Sequence, residues 1–218
     1  MIVVSGIPRS GSSLMMQTLQ HLGVPLVGVG DYDLKGNSYL HRQDIPKEYH
    51  DKISQHNPKG YYDIPFERLI DYVYSPHKGE AIKILGPINI AFVPEKNIDK
   101  VILCERRDKK EQAISFMELA KLDVELMDKE VRLGRMDPDS LRAKALEIYR
   151  TMSLEDCERM IMFGHESIRR WWRDLGVKFM TIFFDVMLET PELTIKEVQK
   201  FLCLEGSIDK AVDNVSTS

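Results

Sequence analysis

The stretch IVVSGIPRSGSSLMMQTLQHLG, residues 2–23, decides the fold. IVVS (2–5) reads as a short apolar strand, and LMMQTLQHLG after Ser13 has helical spacing up to Gly23. Between them lies GIPRSGSS, Gly6 to Ser13. A glycine loop joining a strand to a helix can turn successive backbone N–H groups onto one anion, and the helix dipole adds to the attraction. Gly6 and Gly11 bracket four residues, the spacing of GxxxxGK[ST]. Ser12, however, stands where such loops carry lysine, and Arg9 is the charged residue inside the loop. A guanidinium offers a planar fork that suits a short oxyanion better than a polyphosphate tail. The plain alternative is a strand–helix turn that binds nothing, since Gly, Pro and Ser are all turn formers.

Working outward, VPLVGVG (24–30) reads as a second short strand and 31–60 as a long polar flap. PFERLIDYVY (65–74) has helical spacing, while EAIKIL (80–85) and KVILCE (100–105) read as buried strands on either side of a turn at Pro94–Asn97. A helix follows at once from RRDKKEQAIS, and amphipathic helices occupy 118–133 and 139–174 around a break at GRMDPDS. KFMTIFF (178–184) reads as the last strand and PELTIKEVQKFLCL (191–204) as the last helix, with 207–218 as a weakly ordered tail. Strands alternating with helices predict an α/β domain over 1–206, a P-loop-type three-layer α/β/α arrangement with a mostly parallel sheet. Residues 118–174 form its helical cap, as an acceptor cover or a homodimer surface. Ligands in such sheets lie beyond the carboxyl ends of the strands.

A second strand-to-helix junction lies at that same edge. ERRDKKEQAIS puts Arg106 and Arg107 at the end of a strand, with Ser115 eight residues after Arg107. That is just over two turns if the helix starts near Lys109. Arg107 and Ser115 can then meet a second phosphate, separate from the one at the glycine loop. The bland alternative is a solvated basic helix start.

Composition narrows the function classes. The chain has 218 residues, 43% hydrophobic and 29% charged, enough apolar side chain for a packed core. A net charge of −4 argues against a general nucleic-acid binder. Cys104, Cys157 and Cys203 are widely spaced, which predicts reduced thiols, a cytoplasmic location and neither zinc nor a disulfide framework. No apolar run approaches the roughly 20 residues of a membrane span. Met1 leads straight into the first strand, with no room for a signal peptide.

Four segments together resemble the sulfotransferase superfamily. GIPRSGSSLMMQTL resembles its 5′-phosphosulfate loop, and RRDKKEQAIS its 3′-phosphate motif. NPKGYYD (57–63) resembles an NPxGyfE segment of small bacterial members, and FFDVMLETPELTIKEVQKFLCLEG their C-terminal helix. The resemblance implies transfer of a sulfuryl group from 3′-phosphoadenosine 5′-phosphosulfate (PAPS) to a hydroxyl or amine of a small-molecule, sugar, lipid or peptide acceptor, without a required metal. It implies that Pro8, Arg9, Ser10, Gly11, Ser12 and Ser13 hold the phosphosulfate, and that Arg107 and Ser115 hold the 3′-phosphate. The family's proline after the arginine is replaced by Asp108-Lys109, and Glu111 stands for its aspartate. The soluble members' catalytic histidine falls on Leu85, although Lys83 matches the strand lysine before it. Candidates for the missing base are therefore Asp63, then Asp31, then His41, with Lys83 beside the bridging oxygen. Two other readings stay open: a P-loop nucleotide or small-metabolite kinase, and a nucleotide-binding module without catalysis. Trp171 and Trp172, like Met15 and Met16, read as packing residues.

Overall fold

A computed structural model describes residues 1–26, 79–86, 93–134, 137–139 and 141–217. Four strands, β1 (Ile2–Gly6), β2 (Ala81–Leu85), β3 (Lys100–Glu105) and β4 (Phe179–Phe183), make one parallel sheet in the order β2-β1-β3-β4. Pairing is in step along the sheet. Gly6 aligns with Leu85 on one side and Cys104 on the other, and Glu105 aligns with Phe183. All four strands therefore end at one edge.

Alternate residues of each strand feed different layers, because side chains in a strand point to opposite faces. Val3, Ile82, Ile84, Val101 and Leu103 pack beneath α2 (Lys109–Arg132) and α4 (Leu154–Asp174), using Ala113, Phe116, Ile161, Ile168 and Trp172 from the helices. Ile2, Val4, Ala81, Ile102 and Cys104 pack on the other face. Their cover is α1 (Ser12–His21), α5 (Phe184–Glu189), α6 (Pro191–Leu202) and α7 (Asp209–Ser216). Both faces of the sheet are covered by helices, the three-layer α/β/α expected from the alternation of strands and helices. The short helix α3 (Leu141–Thr151) packs on α2, with Tyr149 edge-on to Phe116 at 5.5 Å between ring centroids.

Two expectations change. Residues 118–174 are not simply a cap, because α4 lies directly on the sheet and buries Trp172 completely. Its neighbour Trp171 is exposed. The helix expected from RRDKKEQAIS runs unbroken for 24 residues from its N-cap Asp108 to Arg132 and ends just before the expected break at GRMDPDS. Residues 209–216 are not a loose tail. They form α7, whose Ala211 and Val215 are buried in the layer with α1. The flap at 31–60 and the segment NPKGYYD lie outside the described residues, and VPLVGVG is described only to Leu26, which bridges to Ala81. No described helix is long and apolar enough to cross a membrane.

Candidate functional site

The sheet order dictates where a ligand can reach. The chain leaves β1 toward β2 on one side, and leaves β3 toward β4 on the other. The crevice between the ends of β1 and β3 is thus the topological switch point. Both junctions singled out in the sequence open into it.

The glycine loop is shaped by close approaches. A Cβ on Gly6 would come within 2.5 Å of the Ser10 hydroxyl and 2.7 Å of the Cys104 carbonyl oxygen. Gly11 has φ +86° and would drive a Cβ into the ring of Phe184. Arg9 is also left-handed, at φ 68°, an uncommon conformation for a residue with a side chain. Ser10 is buried, and its hydroxyl meets no hydrogen-bond partner among the described residues. Helix α1 opens at Gly11 without a side-chain cap and with no acid in its first turn, so its N-terminal dipole faces the loop uncompensated.

Two cations converge on this loop from different elements. Arg9 donates from Nε to the Ser115 hydroxyl at 2.8 Å, which ties the first junction to the second. Lys83, buried in β2, donates from Nζ to the Ser13 hydroxyl at 3.1 Å. The lysine missing from position 12 is thus met in space by a lysine 70 positions from Ser13 along the chain. Arg107 makes contacts of its own at the second junction. Its backbone N–H donates to Asp185 at 2.7 Å, and its exposed guanidinium stands 5.6 Å from the Phe183 ring. Arg106 stacks 4.6 Å from the ring of Phe184, the residue that touches Gly11. Helix α2 begins where the spacing argument placed it, with the Asp108 carboxylate accepting from the Glu111 N–H at 2.8 Å. Of the sequence-predicted base candidates, Asp31, His41 and Asp63 lie outside the described residues.

Beneath the loop runs a buried polar network that sequence reasoning missed. Glu105, fully buried at the end of β3, accepts from Arg169 Nε at 2.7 Å and Arg169 Nη2 at 2.5 Å. Lys109 adds a contact at 3.3 Å. Burial pushes the Glu105 carboxyl up, but the Arg169 hydrogen bonds and the charges of His165, Lys109 and Arg169 prevail and hold it below the ordinary carboxylate value. His165 Nδ1 stands 4.0 Å from Glu105, and its Nε2 stands 3.4 Å from the Gln112 amide. Gln112 in turn donates to the Pro8 carbonyl at 3.1 Å. The only forewarning was a strand ending in Glu105, and an intact acid there suits a buried ion pair better than a base open to solvent. Cys104 beside it is no nucleophile, as burial pushes its thiol up to about 12.

Burial, with the nearby Lys109 and Arg169 charges, pulls His165 down to about 4, against a smaller opposing pull from Glu105. Between pH 6.5 and 4 the unfolded chain therefore takes up a proton that the folded chain refuses. The contribution is whole above pH 6.5 and is lost as pH falls toward 4. Chemical unfolding at pH 7, 5.5 and 4 should show a loss of roughly 2–3 kcal/mol over this window, and His165→Gln should flatten it. An equal acid loss in His165→Gln would assign the effect to other groups.

No model of a known protein family matches the chain, and no curated protein matches it.

Proposed function

We propose that the chain is a P-loop-type sulfotransferase, moving a sulfuryl group from PAPS to a hydroxyl or amine and releasing 3′,5′-diphosphoadenosine. One observation carries this reading. Two cations, Arg9 and Lys83, flank a glycine loop at the switch point, and Arg9 reaches Ser115 of the second junction. A nucleotide bearing phosphates at both the 5′ and 3′ positions needs two such anion sites within one molecule's span. The loop N–H groups, Ser10, Ser12, Ser13 and Lys83 suit the 5′-phosphosulfate, and Arg107 with Ser115 suits the 3′-phosphate.

In the reaction the sulfur–oxygen bond to the 5′-phosphate breaks as a bond to the acceptor oxygen or nitrogen forms, and the acceptor's proton passes to a base. Charge grows on the leaving phosphate oxygens, where preorganised N–H donors, Lys83 and Arg9 lower the barrier. The leaving group carries no polyphosphate tail, so the chemistry does not demand a metal. A kinase is the second reading, and it is favoured by one contact. Lys83 at Ser13 supplies in space the lysine and hydroxyl pair of a nucleotide-triphosphate loop.

Calorimetric titration separates the two. The expected result is that 3′,5′-diphosphoadenosine binds at least tenfold more tightly than ADP or magnesium-ATP. Lys83→Met should weaken that binding about tenfold, as a charge-assisted bond is lost. Preference for magnesium-ATP would install the kinase. Selective binding without consumption of PAPS, over a broad panel of acceptors, would leave a binding module.

A further inference from the structure

We propose that Gln112 and His165 are positioning residues that aim the Arg9 backbone N–H into the anion loop, with Glu105 as their fixed anchor. The nucleotide arm of the test rests on the sulfotransferase reading above, and the geometry does not. The Pro8 carbonyl and the Arg9 N–H belong to one peptide plane, and that plane's rotation sets Arg9 φ. Peptide bonds are trans among the described residues, so the two groups point in opposite directions. Gln112 holds the carbonyl toward α2 at 3.1 Å. The Arg9 N–H is thereby turned away from α2. A left-handed conformation at a residue with a side chain persists only where its surroundings over-determine it. Here α2 provides two holds one turn apart, Gln112 on the Pro8 carbonyl and Ser115 on the Arg9 side chain.

The rest of the line fixes Gln112 itself. Only the NH₂ end of an amide can bond a carbonyl, so the Pro8 contact sets the amide's orientation. That NH₂ has a second hydrogen, and His165 Nε2 lies 3.4 Å from both the NH₂ and Oε1, so the imidazole tautomer decides which end it meets. Glu105 is ionised by Arg169 and faces His165 Nδ1 at 4.0 Å, without competing partners on that nitrogen among the described residues. An N–H turned to a carboxylate is favoured over a lone pair turned to it, so the imidazole proton belongs on Nδ1. Nε2 is then left as the acceptor for Gln112. Lys109 and Arg169, the other charges facing the ring, both oppose a second proton there and keep the acceptor available.

Three measurements on the full chain test this. Nitrogen-15 spectra at neutral pH should show His165 as the neutral Nδ1–H tautomer, and an Nε2–H tautomer would overturn the relay. Hydrogen exchange without nucleotide should show the peptide spanning 6–15 exchanging about fivefold faster in Gln112→Met, with β3 and α6 unchanged, as expected for loss of one neutral hydrogen bond. Met keeps the volume and removes the donor, and unchanged loop exchange would overturn the proposal. Finally, 3′,5′-diphosphoadenosine should bind Gln112→Met about fivefold more weakly than the parent. Faster loop exchange in a protein whose parent never binds the nucleotide would refute the sulfotransferase reading and leave the positioning role standing. Parent-like binding by Gln112→Met, beside a parent that does bind, would refute the positioning role alone.

Discussion

Arg169→Met is expected to cost about 3–5 kcal/mol of folding stability, the penalty for stranding a buried charge. Its partner Glu105 is fully buried and takes two hydrogen bonds from the guanidinium, at 2.5 and 2.7 Å. Without Arg169 the carboxylate keeps, among the described residues, only Lys109, at 3.3 Å, and a histidine whose burial disfavours charge. In a chain of this size the loss corresponds to roughly 6–20 °C in Tm. Unfolding curves should also show that Glu105→Gln/Arg169→Met recovers most of the deficit, because the isolated charge is gone. Were Arg169→Met to cost under about 1 kcal/mol, Lys109 alone would be satisfying the acid. The carboxyl end of β3 would then be far softer than the geometry implies.

With the glycine loop as the proposed nucleotide site, Gly11→Ala should cost a hundredfold or more in affinity for 3′,5′-diphosphoadenosine. Two penalties coincide at this position. Alanine at φ +86° costs about 1–2 kcal/mol, and its methyl group has no room beside Phe184, which adds about 1–3 kcal/mol. Relief comes only by moving the loop or the ring, and either move shifts the opening turn of α1 or the Arg106 stack. Titration of Gly11→Ala/Phe184→Ala separates the causes. If the double variant regains binding, the clash dominated; if it stays silent, the backbone conformation did. Near-parental binding by Gly11→Ala itself would mean that no ligand uses the loop.

The elements were legible because strands and helices repeat with different periods, and the loop was legible because its two glycines have a known spacing. What the periods do not carry is which side chains meet. Lys83 was a site candidate by resemblance alone, and only the pairing of β2 with β1 brings its amine to Ser13. Ser115 was assigned to a phosphate with Arg107, yet its described partner is Arg9, 106 positions away. Gln112 and His165 drew no notice, since one buried amide on a helix and one buried imidazole look like ordinary packing. Only their 3.4 Å approach makes them a pair. Helix α7 was missed for a local reason. The run from Glu205 to Asp209, polar or small but for Ile208, hides an apolar pair, Ala211 and Val215, too short to register as a stripe.

The strand order has a consequence for the ribosome. β1 is made first but lies inside the sheet, with Ile2 paired to Ala81 on one side and Lys100 on the other. At about 5–20 residues per second, some 4–16 s pass before the first partner is synthesised and about 5–20 s before the second. Through that interval IVV, and the apolar face of α1 behind it, emerge without their covers, and α1 waits longer still for α7. Slowing translation between residues 6 and 81 should lower the chain's soluble yield.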